Sequence, residues 1–415
     1  MDFFYMYYIT NTCVSNDCKM ANQEFLEQKP GFATTAIHCR VESKETCTGV
    51  VQPIVTAATF QLSEPVVEDI GTRTIEPTIE RKNEKSEHCL AELEGGKYGF
   101  AFSSGHGAMS TICMMLSQGD HLLTDNEIYA GTACLFRKII SRMGIEITFT
   151  DFTNIKNIEN SIQKNTKMVW VETPTNPTIK LLDIAAISKL AKSRGDILVC
   201  VDNTFLTSYF QKPLDLGADI SMFSATKYIN GHSDVVMGAA IVKDEKIAKI
   251  LKSLQMYVGA VPSPMDCYLV TRSLTTLSLR MERHQQSSLT IAKWLLTQNH
   301  VLEVLHPGLP EHPQHELAKR QSFGHSGVFS FRHSGEFRES KTFLCALKLF
   351  ALCISLGGTR SLVQLPSTMT HAVLSEKQRI DIGVTDSLIR LSIGLEDPED
   401  LIKDLDQAFK EAFHK

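Results

Sequence analysis

The sequence predicts an α/β protein: a large domain on a mostly parallel sheet covered by helices on both faces, a smaller C-terminal α+β domain, and an N-terminal arm. Three observations carry this. Short apolar runs alternate with helix-length stretches from about Gly96 to Phe223, and that alternation implies parallel strands joined by crossover helices. Two such runs end in residues able to do chemistry, Asp202 after Ile197–Val201 and Lys227 just beyond Ile220–Phe223, at the edge where open α/β sheets place their ligands. After about Cys267 the pattern changes to longer helices, a Pro/Gly-rich connection from His306 to Pro313, and a late strand from Leu388 to Ile393.

Taken in order, residues 1–77 read as an arm with one strand-like piece, Val50 to Phe60, and too little apolar sequence for a core of its own. Such an arm is expected to pack on another subunit. Residues 78–267 form the large domain. Gly105 opens a helix to Ser117, Gly119–Asp120 turns into the strand His121–Thr124, and a helix over Thr132–Met143 leads to the strand Glu146–Phe149. A helix over Ile155–Gln163 precedes the strand Met168–Glu172, and one over Asp183–Arg194 precedes the strand that ends at Asp202. Residues 268–415 form the small domain.

The 415 residues, 43% hydrophobic and 21% charged, allow two or three domains with a large core. A net charge of −5 without basic runs points away from nucleic acid and anionic membrane. The longest apolar stretch, Phe343–Leu356, contains Lys348 and is too short to span a bilayer. No signal peptide is expected, because Met1–Thr10 carries Asp2 and lacks a basic start; Met20 opens an alternative start, so the first nineteen residues read as an optional extension. The 11 cysteines show no Cys-x-x-Cys pair or regular spacing, which suits a reducing compartment. A soluble, cytoplasmic protein is expected, and no metal.

Phe223–His232 is the stretch with most chemical content. Ser224 and Thr226 would point their hydroxyls to one side of an extended chain, where they could hold a phosphate, and Lys227 could form a Schiff base with an aldehyde once burial uncovers its amine. The same Ser-x-Thr-Lys pattern also occurs on solvated loops. Asp202, closing a buried strand, needs a cation or several donors; a pyridinium nitrogen would serve, as would a helix cap or a turn. Ser103–Gly107 precedes a helix whose free N–H groups suit a phosphate. Arg390, in the apolar strand Leu388–Leu391, needs an anionic partner.

Val201–Phe205, Pro213–Ile220, Ser224–Asp234 with Val235–Gly238, Glu172–Thr178, Gly259–Pro264, His306–Pro310, Ser355–Gly358, Met369–Ala372 and Arg390–Asp397 together resemble the Cys/Met-metabolism enzymes that use pyridoxal 5′-phosphate (PLP), in one order from about Gly31 to Phe409. Within that family the blocks look most like those of cystathionine γ-lyases. The resemblance implies the fold type I architecture of PLP-dependent transferases and PLP as cofactor. It also implies α,γ-elimination of L-cystathionine to L-cysteine, 2-oxobutanoate and ammonia, a homotetramer of two tight dimers, and an amino-acid substrate. By the same carry-over Lys227 holds the cofactor and acts as base, and Asp202 meets the ring nitrogen. Gly105, His106, Ser224 and Thr226 hold the phosphate, Tyr129 stacks on the ring and moves protons, Asn176 meets the phenolic oxygen, and Arg390 with Ser355 binds the substrate carboxylate.

Two departures from the family pattern stand out. In Gly71–Thr78 the family's phosphate arginine is matched by Arg73, but glycine stands for its tyrosine and Glu76 for its asparagine, a change expected to weaken cofactor binding. Ile354 stands where cystathionine γ-lyases carry a glutamate, and an apolar residue there is more like methionine γ-lyases; those carry cysteine where this chain has Gly131. Methionine γ-lyase, cystathionine β-lyase and γ-synthase activities are therefore alternatives. A reading of another class is a catalytically impaired paralogue serving as a structural or regulatory subunit, against which Tyr129, Asp202, Lys227 and Arg390 argue together.

Overall fold

The computed structural model describes residues 25–39, 51, 53–59 and 85–413. Two sheets organise them. The first has seven strands: β1 (Tyr98–Phe102), β2 (His121–Asp125), β3 (Glu146–Thr150), β4 (Thr166–Glu172), β5 (Leu198–Asp202), β6 (Ile220–Ser224) and β7 (Gly238–Val242). Their order across the sheet is β1-β7-β6-β5-β4-β2-β3, and β7 alone runs antiparallel to its neighbours.

Alternation along each central strand feeds two cores. Met168 and Trp170 of β4 join Cys200 of β5 and Ile220 and Met222 of β6 under the helices Gly105–Cys113 and Glu245–Val258. Val169, Val171, Val199 and Val201 face the other way, toward Ile184, Ile187 and Ala191 of the helix Ile184–Arg194. That helix starts where it does because Asp183 accepts a hydrogen bond from the Ala186 N–H at 2.9 Å.

The second sheet has five strands, β8 (Val301–Leu305), β9 (Val328–His333), β10 (Ala351–Leu352), β11 (Leu362–Gln364) and β12 (Leu388–Ser392), in the order β10-β11-β12-β9-β8. Phe329, Phe331, Ile389 and Leu391 pack against Ile291 and Leu295 of the helix Leu277–Leu295 and Leu401, Leu405 and Phe409 of the helix Pro398–Phe413.

Several expected boundaries shift for local reasons. The helix from Gly105 ends at Cys113 rather than Ser117, because its last turn tightens to bonds from Met115 N to Ile112 O and Leu116 N to Cys113 O. The helix expected over Thr132–Met143 runs Ala130–Lys138 and passes into a 3-10 turn, where Ser141 Oγ bonds back to Arg137 O at 2.7 Å. Residues 53–59 of the expected strand Val50–Phe60 carry no strand. The apolar stretch Phe343–Leu356 divides between the helix Phe337–Ala346 and β10. No helix among the described residues is long and apolar enough to cross a membrane.

Candidate active site

β4, β5 and β6 end side by side, and their last residues are Glu172, Asp202 and Ser224. Lys227 follows in a turn closed by its own N–H on Ser224 O at 3.1 Å. Its ammonium donates to Ser355 Oγ at 3.0 Å. Burial, then the nearby Arg390 guanidinium, pull its pKa down to about 8, so a neutral amine is accessible near neutral pH. Among the described residues no carboxylate lies within ion-pair distance of Lys227.

Arg390, on β12, reaches this edge from the second sheet. It is 2% exposed, donating from one terminal nitrogen to Asn176 Oδ1 at 3.0 Å and from the other to Ser355 O at 2.6 Å. Among the described residues its Nε–H has no partner. Burial lowers its pKa to about 10, yet it remains a cation at neutral pH, and no acidic side chain among the described residues pairs with it. The internal ion pair that would make Arg390 purely structural is not formed. A buried guanidinium left this way is a receptor for a carboxylate.

The opposite charge accumulates on the sheet edge. Asp202 Oδ1 accepts from Thr204 N at 3.0 Å and Thr204 Oγ1 at 2.5 Å, the local turn that a carboxylate after a strand commonly makes, which leaves Oδ2 uncommitted. Glu172 stands directly opposite it in the parallel register and accepts the backbone N–H of Tyr129 at 2.9 Å. Burial, followed by the Asp202 charge, raises the Glu172 carboxyl well above the usual range; burial raises Asp202 as well. Two adjacent acids, Glu172 buried and Asp202 half-buried, are costly without a cation, and a protonated ring nitrogen would relieve them.

A phosphate cradle lies one strand away. Ser104 caps the helix Gly105–Cys113 by accepting from Gly107 N at 2.9 Å, which leaves the N–H groups of Gly105 and His106 without acceptors in the helix. A Cβ on Gly105 would lie 3.0 Å from Ser224 Oγ, and one on Gly238 would lie 2.2 Å from Ser104 O. Both glycines are required for the helix start to close on β6 and β7, and that closure sets Ser224 Oγ beside the free N–H groups. The residues present therefore fit a pyridine ring carrying a phosphate.

One expected residue is placed differently. The extended chain ends at Ser224, so the alternation that would align Thr226 with it does not continue; Thr226 Oγ1 donates to Met237 O at 3.2 Å and accepts Met237 N at 3.1 Å. Tyr129 is 38% exposed at the mouth, packed edge-on to His106 with ring centroids 5.9 Å apart. Ile354 is 67% exposed beside Ser355. Arg73 lies outside the described residues.

The profile of the family described as Cys/Met metabolism PLP-dependent enzymes matches residues 33–410. The chain belongs to this family. It is 47% identical to mouse cystathionine γ-lyase over 94% of this chain and 97% of that one, and 46% identical to human cystathionine γ-lyase over 94% and 96%. Cystathionine γ-lyase from Lactobacillus plantarum, solved with L-serine, superposes with a TM-score of 0.87 at 35% identity, covering 92% of this chain and 99% of that one. The protein is thus a PLP-dependent enzyme with the type I fold of its family.

Two residues of this family member's site escaped the sequence reading. Glu172 closes a buried apolar strand just as Asp202 does, and the same desolvation argument identifies it. Thr204, which fixes the rotamer of Asp202 with two bonds, left no signal beyond being a hydroxyl two residues after an aspartate.

Proposed function

We propose that the chain is a carbon–sulfur lyase that cleaves L-cystathionine with water to L-cysteine, 2-oxobutanoate and ammonia. The observation that carries this reading is Arg390, a buried guanidinium with no acidic partner among the described residues, beside Lys227, a half-buried amine brought to about pKa 8. An amino acid's carboxylate on Arg390 brings its α-carbon toward the Lys227 amine. The relatives named cystathionine γ-lyase support the choice of substrate.

Lys227 would hold the cofactor's aldehyde carbon. Gly105 and His106 N–H and Ser224 Oγ would hold its phosphate, with Thr226 donating there once its hydroxyl leaves Met237 O. Asp202 Oδ2 would face the ring nitrogen, and Asn176, its oxygen engaged by Arg390, would offer its amide N–H groups to the phenolic oxygen. Bound PLP supplies a protonated ring that draws electrons from the substrate's α-carbon. The chain's own residues do the rest. Arg390 and Ser355 orient the α-carboxylate, Lys227 Nζ takes the α-proton, and Tyr129, at the mouth above His106, moves protons as sulfur leaves from Cγ.

Ile354 favours a second reading, since an exposed apolar side chain beside Ser355 suits a substrate without a distal amino group, such as L-methionine. Steady-state rates with both substrates distinguish the two: higher catalytic efficiency for L-cystathionine, lost in Lys227→Ala, is the expected result, and a clear preference for L-methionine would overturn the main reading. The same reading makes the protein a cytoplasmic homotetramer of two tight dimers and gives the domain limits 1–77, 78–267 and 268–415. Tyr257, Met265 and Leu279, each more than half exposed, offer apolar surface for subunit contact.

A further inference from the structure

Cys39 ends the short arm helix Phe32–His38, and His88 and Glu92 lie one turn apart on the helix over 85–94. Nothing in their sequence spacing joins them, yet the Cys39 sulfur, a His88 ring nitrogen and a Glu92 carboxylate oxygen all lie within 4.8 Å of one another. His88 Nε2 and Glu92 Oε2 are 3.9 Å apart. Around a tetrahedral zinc ion, bonds of about 2.0–2.3 Å hold ligand atoms about 3.3–3.8 Å apart. The three groups therefore need to close by only about 1 Å.

The donor set is selective. A thiolate with an imidazole suits zinc and disfavours magnesium or calcium, whose partners are all oxygen. Burial is graded in a way that suits an ion as well: Cys39 is 4% exposed, while the His88 and Glu92 side chains are about half exposed and leave a route from solvent. None of the three belongs to the active-site edge.

We propose that Cys39, His88 and Glu92 form a zinc(II) site that fastens the arm helix to the helix over 85–94. A zinc ion binds the thiolate form of Cys39, so uptake releases the thiol proton into solution.

The test uses the PLP-loaded enzyme, stripped of metal on a chelating resin and titrated with Zn²⁺ against a chromophoric chelator. Wild type is expected to take up one zinc per chain with proton release. His88→Gln and Glu92→Gln alter exposed side chains and should fold normally, shown by an unchanged cofactor absorption band; each should bind at least about 100-fold more weakly, since even residues behind a metal's ligands cost 10–100-fold. Cys39→Ser should abolish the proton release. No uptake by wild type, or equal uptake by wild type and the two glutamine variants, overturns the proposal.

Discussion

Replacing Glu172 separates two roles that its carboxylate could play. Its Oε2 accepts the Tyr129 N–H at 2.9 Å, and it stands opposite Asp202 in the strand register. Burial and the Asp202 charge push its carboxyl well above the usual range; burial raises Asp202 too, but there the two bonds from Thr204 work against it. The pair's proton therefore rests on Glu172, and Asp202 carries the charge. Glu172→Gln keeps a carbonyl oxygen for Tyr129 and imitates the neutral acid, so kcat/KM for cystathionine cleavage should stay within about threefold of wild type, as for an exchange that leaves every buried partner satisfied. Glu172→Ala removes the acceptor of the part-buried Tyr129 N–H, at up to about 1–3 kcal/mol; this frees Tyr129 to leave its place and should lower kcat/KM by about fivefold to 150-fold at 1.4 kcal/mol per decade. Cofactor absorbance verifies that both variants are loaded. If glutamine proves as damaging as alanine, Glu172 acts as an anion and the assignment of the proton is wrong.

Two further outcomes follow from the same structure. Arg390→Lys keeps a charge but cannot hold Asn176, Ser355 and a substrate carboxylate together, so KM should rise at least about 30-fold, the lower end of the 2–5 kcal/mol lost when a buried charge pair is truncated; an unchanged KM with amino-acid substrates would remove Arg390 from the carboxylate site. His284, His312, His325, His333 and His371 are buried, and burial is the leading cause that lowers each to about pKa 4. The unfolded chain binds these protons at about pH 6.5, so their stabilisation is complete above that value and is lost as pH falls toward 4, at about 2 kcal/mol each by about pH 5. Glu94, raised to about 8, and Asp125, raised to about 6, both by burial, oppose this by about 4 kcal/mol in total over the same range; Glu172 and Asp202, also raised, act with them, while His306 and His121, lowered by burial, act with the other histidines. The denaturant midpoint should therefore fall between about pH 7.5 and 5, and a midpoint that holds or rises would refute the balance.

What the sequence made legible was what breaks an apolar run. Asp202, Lys227 and Arg390 each interrupt or close a buried strand, where a charge needs a reason to be there, and the structure brings Lys227 and Arg390 close to one edge from two different sheets. β7 was hidden because the apolar run that continues past Gly238 looks like any other strand, and only pairing reveals that it runs antiparallel between β1 and β6. Most of the second sheet was hidden for a related reason: β10 and β11 are two and three residues long, too short for an alternation to register. Thr226 shows the limit of periodicity from the other side, since a period of two holds only while the chain stays extended. The cluster of Cys39 with His88 and Glu92 was illegible altogether, because it depends on the arm helix folding back onto a helix about fifty residues later.

The arrangement of charge explains why these residues read as a site rather than as a core. Salt bridges elsewhere on the chain, such as Lys180 with Glu127 at 2.7 Å or Arg283 with Asp397 at 2.7 Å, bring opposite charges together. At the carboxyl edge the chain does the reverse. The Arg390 guanidinium, after burial, lowers the proton affinity of Lys227 on one side, and the Asp202 charge, after burial, raises that of Glu172 on the other. Folding alone would select the opposite arrangement, since each pair costs stability that a simple cross-pairing would recover. On the proposed function, ligands would complete this separation: a cationic ring against the acids, a phosphate on the helix start, and a carboxylate on the guanidinium. Filling the cofactor half should accordingly stabilise the protein by more than its contact area suggests, because it removes a repulsion already present in the fold.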